Sequence, residues 1–365
     1  MLILPAITLS GRHPVLEAEE CSAMAGETLT VRGAAPGEDL PVLFCGESGS
    51  TLRFLIPLAL ALRGKGEFHG EGRLMERPQE PYFRLFREKG IAYSRRHDTL
   101  YIEGTLTPGT YRLPGNVSSQ FITGLLYALP LLPGDSDIVL TTALESGGYV
   151  DMTMDALRRF GVRAEATEMG WHVPGNQRYI PAEAAVEADW SQGAFFLAAQ
   201  FLGSPVELGG LRPDSLQGDR IIRDYALRLR QPGPVELDVS GCPDLVPALG
   251  AMAALRAEEE TRIVGAARLR LKESDRLSSV TAALSALGAE ISEEPEGLFI
   301  RGRETLPGGA AVDSWNDHRI AMMTAIAATR CEKPVTVLGA ECVQKSYPAF
   351  WEDYAALGGK LEVEE

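Results

Sequence analysis

Five stretches of this 365-residue chain set small polar residues or cations at the start of an apolar run. GESGSTLRFLIPLAL places Gly46, Ser48, Gly49, Ser50 and Thr51 there, and GNVSSQFITGLLYAL places Gly115, Ser118, Ser119 and Gln120. DSWNDHRIAMMTAIAA opens on Asn316 and Asp317, followed by His318 and Arg319. KESDRLSSVTAALSAL sets Lys272, Glu273 and Arg276 around Ser274 and Asp275, and QKSYPAFWEDYAAL puts Lys345 beside Ser346. A helix start carries free N–H groups and a partial positive charge, so it attracts anions. Small residues let a phosphate reach the backbone, and Arg or Lys adds charge-assisted hydrogen bonds. For any one stretch taken alone, ordinary capping is the better reading. A cation at a helix start opposes the helix dipole, however, and two of the six lysines sit in these starts. Together the five favour a site for a phosphate-rich substrate.

Other chemistries find less support. GESGST lacks the Walker lysine, and there is no GxGxxG, HExxH or GxSxG. His13, His69, His97, His172 and His318 are isolated, so no metal is expected. Cys21, Cys45, Cys242, Cys331 and Cys342 show neither metal nor disulfide spacing, as suits a reducing cytoplasm. A net charge of −15 argues against general nucleic-acid binding. The longest apolar runs, 54–62 and 121–132, are too short to span a bilayer. The apolar opening MLILPAITL has no basic residue before it and no cleavage-type segment after it, so no secretory signal is expected.

The elements that must position these residues repeat along the chain. Residues 90–104, 161–175 and 288–302 each run 14 positions from Gly to Gly. Each follows an amphipathic stretch: PYFRLFREK, MTMDALRRF and SSVTAALSAL. The first Gly reads as a helix C-cap, and the alternating residues after it as a β-hairpin. Hairpin ends fall at TLTVRG, TLYIEG, GWHVPG, more weakly VELDVSG, then GLFIRG and the terminal LEVEE, in steps of 71, 71, 66, 61 and 63 residues. That spacing predicts six α/β units, three in each half, the first of them incomplete because only 33 residues are available to it. VPGNQRYIPAEAAVEAD, over 173–189, breaks the pattern and predicts a domain boundary near 176–188, with domains at 1–182 and 183–365.

Taken in order, GESGSTLRF, ERPQEPYFRLFREKG, GNVSSQFITGLL, SGGYVDMTMDALRRFG, VEADWSQGAFFLAA, PDLVPALGAMAA, LKESDRLSSVTAALSALGAEI, NDHRIAMMTAIAA and CVQKSYPAFWEDYAALG resemble the EPSP synthase family, the 3-phosphoshikimate 1-carboxyvinyltransferases. The resemblance runs from Cys45 to the C-terminus. It implies a two-domain inside-out α/β barrel of βαβαββ repeats, with the site in the cleft between domains. It implies transfer of an enolpyruvyl group from phosphoenolpyruvate to the 5-hydroxyl of shikimate-3-phosphate, with no metal or organic cofactor. The sibling UDP-N-acetylglucosamine enolpyruvyl transferases carry a reactive Cys where GEGRLMERP has none.

The resemblance also assigns residues. Ser118, Ser119, Ser146 and Lys272 match contacts to the shikimate-3-phosphate phosphate, and Gln120 and Tyr149 lie where the ring is held. Gly49, Arg77, Arg276, Arg319 and Lys345 match phosphoenolpyruvate contacts, with Gln120 and His318 beside them. Asp244 matches the carboxylate at the attacking hydroxyl, and Glu273 the one facing the methylene. With Lys345 these two form the expected catalytic set. The expected protein is a cytoplasmic monomer that works on small molecules. The family's opening PGDKSISHR-like segment has no counterpart here, where the first lysine is Lys65, and Glu47 stands where the family often has Asn. The expectation is therefore a chain that is a poor catalyst alone. A non-catalytic or partner-dependent anion binder on the same scaffold is the alternative.

Overall fold

The computed structural model describes residues 40–363. Cys21, His13, TLTVRG and the expected incomplete first repeat lie outside the described residues. The described chain forms two compact units that change over between Val186 and Glu187. Each unit has its own apolar core.

The first unit holds two repeats of one design. Strand β1 (Val42–Phe44), helix α1 (Gly49–Arg63), β2 (Lys65–His69), α2 (Glu80–Lys89), β3 (Ala92–Arg96) and β4 (Thr99–Glu103) make the first. The second consists of β5 (Gly109–Leu113), α3 (Ser119–Ala128), β6 (Ser136–Leu140), α4 (Gly147–Arg159), β7 (Glu165–Thr167) and β8 (Gly170–Val173). Their sheets run β1-β2-β4-β3 and β5-β6-β8-β7. In each, the first two strands are parallel and the hairpin is antiparallel.

The second unit opens with α5 (Trp190–Phe201) and α6 (Ile222–Leu229). A third copy of the design follows: β9 (Val235–Asp238), α7 (Val246–Ala254), β10 (Glu260–Val264), α8 (Arg276–Ala286), β11 (Glu290–Glu294) and β12 (Gly297–Arg301), again with order β9-β10-β12-β11. The chain then forms β13 (Leu306–Gly308), β14 (Ala311–Asp313), α9 (His318–Ala328), β15 (Cys331–Lys333), β16 (Thr336–Leu338) and α10 (Phe350–Ala356). β13 pairs with β15 and β14 with β16, both in parallel. Between the pairs the ladder breaks at Gly308 and Gly309, whose φ values are +64° and +75°, opposite Pro334, which has no N–H to give.

All three Gly-to-Gly segments are hairpins, and the first glycine of each, Gly90, Gly161 and Gly288, takes a positive φ just past a helix. Two expected hairpin ends are corrected. VELDVSG supplies β9, the leading parallel strand of a sheet, and its apolar alternation reads the same in either role. Residues 361–363 of LEVEE form no strand. Among the described residues the sheets are open, and none closes on itself.

Burial explains the inside-out arrangement. Every residue of α7 is buried, as is every residue of α9 from His318 to Ala327. Strands β3, β7 and β11 are mostly exposed. Helices that are apolar all round occupy the interior, and the sheets form the outer layer.

One contact sets the start of the first unit. Pro57 stands inside α1 and cannot donate to the Arg53 carbonyl four residues back. The buried Tyr82 hydroxyl takes that place, 2.8 Å from the Arg53 carbonyl and 3.0 Å from that of Phe121 on α3. Gly124 permits the close approach, since a Cβ there would lie 2.3 Å from both the Arg53 oxygen and the Tyr82 hydroxyl. Tyr82→Phe is expected to lower stability by about 1–3 kcal/mol, the cost of a buried acceptor left unpaired. Urea unfolding measures it, and an unchanged midpoint would show that water satisfies the carbonyl.

Candidate functional site

Helix starts fall where the sequence placed them. α1 begins at Gly49 with Ser48 as N-cap, α3 at Ser119 with Ser118, α8 at Arg276 with Asp275, and α9 at His318 with Asp317. Lys345 is the exception. It ends the 3-10 turn Ala340–Lys345, well before α10, and its Nζ donates to the Asn316 carbonyl at 2.8 Å. The lysine is thereby tied to the loop before α9.

In the second unit the cations gather around carboxylates. Arg276 has 1% of its side chain exposed, and its guanidinium touches three acids. Nε donates to Asp317 Oδ2 at 2.9 Å, Nη1 to Asp244 Oδ1 at 2.9 Å, and Nη2 to Glu273 Oε2 at 2.7 Å. Asp317 also accepts the Arg319 backbone N–H at 3.0 Å, so the N-cap of α9 doubles as the counter-ion of Arg276. Lys272 Nζ lies 3.0 Å from Asp244 Oδ1. Arg319 Nη1 donates to the Ser191 hydroxyl at 2.7 Å, and Nη2 stands 3.8 Å from Asp244 Oδ2. These cations at helix starts are thus compensated by carboxylates, which removes the conflict with the dipole.

Charge states follow from the packing. Burial would raise Asp244, but Lys272, Arg319 and Arg276 outweigh it and hold the carboxyl well below its usual range. Burial also opposes ionised Asp317, and Arg276 again keeps it below the ordinary value. His318 goes the other way. Burial, then Arg319, push it down to about 4, and its Nδ1 has no hydrogen-bond partner among the described residues. It is therefore neutral at pH 7. Because its folded value is depressed, the unfolded chain binds its proton first as pH falls below about 6.5. His318 should thus cost stability progressively between about 6.5 and its folded value of about 4. His318→Gln should flatten the stability–pH curve in that window. An NMR titration placing the ring near 6.5 would contradict it.

The first unit assembles a second group. Arg77 lies against Gly49, where a Cβ would sit 3.0 Å from Cζ, and its Nη1 reaches the Glu47 carbonyl at 3.5 Å. A side chain in place of Gly49 would press on the guanidinium, which would have to shift by a few tenths of an ångström. Gln120 Oε1 accepts from Arg53 Nη1 at 2.7 Å, and Arg53 Nη2 donates to the Pro78 carbonyl at 3.0 Å. Arg53 therefore links Gln120 to the loop bearing Arg77. The Ser118 hydroxyl accepts from Gln120 N at 3.3 Å, and Ser119 is buried. Ser146, buried with φ +56°, precedes α4 and Tyr149. A hydrogen bond from Glu145 N to the Gly115 carbonyl at 3.0 Å draws the Ser146 loop to the loop before Ser118.

The structure therefore brings Asp244, Lys272, Glu273, Arg276 and Arg319 together, with His318 adjacent. It links Gly49, Arg77 and Gln120 through Arg53, and joins the loops carrying Ser118, Ser119, Ser146 and Tyr149. Ser118 and Ser119 belong to the first unit and Lys272 to the second. Arg53 and the counter-ion role of Asp317 are not among the site features expected from the sequence. A lone charge in the apolar run LRFLIPLAL was the available signal for Arg53.

The family model described as EPSP synthase (3-phosphoshikimate 1-carboxyvinyltransferase) matches residues 16–354. A 3-phosphoshikimate 1-carboxyvinyltransferase of Clostridium acetobutylicum is 48% identical over 334 residues, 87% of this chain and 78% of that protein. One from Clostridium kluyveri is 47% identical over 340 residues, 88% of this chain and 79% of that protein. Among solved structures, an EPSP synthase from Acinetobacter baumannii superposes with a TM-score of 0.72 at 24% identity, over 91% of this chain and 81% of that one. The enolpyruvyl transferase NikO from Streptomyces tendae gives 0.67 at 17% identity, over 85% and 76%.

Proposed function

The chain belongs to the EPSP synthase (3-phosphoshikimate 1-carboxyvinyltransferase) family, and from that premise we propose that it transfers the enolpyruvyl group of phosphoenolpyruvate to the 5-hydroxyl of shikimate-3-phosphate. In the addition step the hydroxyl oxygen bonds to C2 of phosphoenolpyruvate, the hydroxyl proton leaves, and a proton joins C3. In the elimination step C3 loses a proton and the C2–O bond to phosphate breaks, giving the enol ether and inorganic phosphate. Addition needs one group to take the hydroxyl proton and one to supply a proton at C3; elimination needs a group to take the C3 proton as phosphate leaves.

One observation carries the reading: a single buried guanidinium, that of Arg276, holds both Asp244 and Glu273. Asp244, ionised beside three cations, is a weak base that can still accept the hydroxyl proton. Glu273 suits the methylene carbon. Arg276 acts mainly by orienting them, since only 1% of its side chain is exposed. Arg319, Lys345, Arg77, Gln120, His318 and the Gly49 backbone are assigned to phosphoenolpyruvate. Their preorganised charge stabilises carboxylate and phosphate as they change. Ser118, Ser119, Ser146 and Lys272 are assigned to the sugar phosphate, with Gln120 and Tyr149 at the ring.

The test is phosphate release from phosphoenolpyruvate and shikimate-3-phosphate together. No release above background would overturn the activity. For the binding assignment, calorimetry of shikimate-3-phosphate with Lys272→Ala should show affinity reduced by about ten- to a hundredfold, the worth of one charge-assisted contact. Equal affinity would remove Lys272 from the site.

A further inference from the structure

Two neighbours just before α9 take the left-handed backbone region without being glycine: Trp315 at φ +50° and Asn316 at φ +55°. Asparagine tolerates that region, because its short amide bonds locally. A bulky residue there is an outlier, and left-handed residues normally occur singly. Among the described residues these are the only adjacent non-glycine pair to share it. Such strain persists only where the surroundings over-determine it. Here they do. Asp313 Oδ1 accepts the Trp315 N–H at 2.6 Å. Ser314, 1% exposed, donates its N–H to the Leu338 carbonyl and its hydroxyl to the Gly339 carbonyl, both at 3.0 Å. The Asp317 N–H closes the turn on the Ser314 carbonyl at 2.9 Å, and Arg276 in turn holds Asp317. Core packing of the strained pair is not the cause, because both Trp315 and Asn316 are exposed.

What the turn presents is the Asn316 carbonyl, which receives Lys345 Nζ at 2.8 Å. Changing Asn316 to a right-handed or extended backbone would rotate the peptide units beside its Cα. That carbonyl could not then stay in place while β14 and the α9 cap remain fixed. Lys345 is itself exposed, and its four-carbon stem has many rotamers to lose. The backbone beneath it is anchored on two sides. Trp351 Nε1 donates to the Ala340 carbonyl at 2.9 Å where the 3-10 turn begins, and Gln192 Nε2 on α5 donates to the Ser346 hydroxyl just past its end. An ammonium has three donors, so the bond to Asn316 is compatible with holding an anion at the same time.

We propose that the left-handed Trp315–Asn316 turn is a positioning device for Lys345, aiming the Asn316 carbonyl so that the ammonium is held in place for an anionic group of the substrate before that substrate arrives. The kinetic side rests on the assignment of Lys345 to phosphoenolpyruvate; the structural side does not. Asn316→Val disfavours the left-handed backbone at an exposed position, and Asn316→Gly removes the same amide but keeps that backbone accessible. In crystals of the valine variant Lys345 Nζ should have left the Asn316 carbonyl, and in the glycine variant it should remain. In steady-state kinetics Asn316→Val should raise KM for phosphoenolpyruvate about tenfold, the loss of one pre-positioned contact, and leave KM for shikimate-3-phosphate within about twofold. Asn316→Gly should rescue the first constant to within about threefold of the unsubstituted chain. An unmoved ammonium in Asn316→Val overturns the proposal. So do equal rises in both constants, which a purely structural role would give, and a glycine variant as impaired as the valine one, which would make the amide the source. If Asn316→Val does not fold, Asn316→Ala strains the turn less and is read in the same way. If the unsubstituted chain shows no turnover, the activity reading fails separately, and the position of Lys345 in the variant crystals decides the proposal.

Discussion

Arg276→Ala should destabilise the protein by about 3–5 kcal/mol, the usual cost of stripping a buried charge of its partner. The reason is the number of acids it serves. Asp317 is fully buried, and Asp244 and Glu273 keep only 16% and 21% of their side chains exposed. Without the guanidinium, Asp317 stays in the interior with its nearest cation gone. Three of the four tryptophans, Trp190, Trp315 and Trp351, lie in the same unit, so urea unfolding followed by fluorescence reports on it directly. Arg276→Lys should recover only part of the loss, because one ammonium group cannot reproduce a planar fork spanning three carboxylates. A loss below about 1 kcal/mol in the alanine variant would mean that the cluster relaxes or admits water, and that the buried pairing adds little.

Asp244→Asn should cut kcat by about 10²–10⁴-fold while the fold survives, the range expected when a positioned proton acceptor is lost. Arg276 keeps Asp317 and Glu273 in that variant, so its charge stays compensated. Lys272 and Arg319 lose a carboxylate, and an amide cannot take the hydroxyl proton. Turnover within tenfold of the unsubstituted chain would show that another group accepts it. The acid limb of stability follows from the same residue. The folded value of Asp244 is depressed, so its contribution is complete above the unfolded carboxyl value of about 3.9 and disappears only as pH falls through the lower folded value. Across the neutral range Asp244 therefore leaves stability flat.

Local sequence carried the hairpins because a helix-ending glycine and strict alternation are short-range signals. It carried the helix starts beside Ser118, Asp275 and Asp317 for the same reason. It could not separate VELDVSG as a leading strand from a hairpin end, since partner and direction are set by residues far along the chain. The pairing of Arg276 with Asp317, 41 positions away, was equally invisible. Asp219 was harder still: in QGDRIIRDY it reads as a solvated turn acid, whereas the fold buries it. The family resemblance supplied Asp244, which the helix starts do not single out, and gave Glu273 and Lys345, which they do, their expected roles.

The inward helices have a consequence for synthesis. α7 offers no polar face to water, and its cover comes from α5, α6, α8, α9, β10 and β12. Four of those six elements leave the ribosome after it does. At about 5–20 residues per second, the helix waits some seconds for them. During that interval it is an adhesive segment, best sheltered by a holding chaperone. Refolding from denaturant should accordingly lose yield as protein concentration rises, even though the finished molecule carries a net charge of −15 that keeps its copies apart.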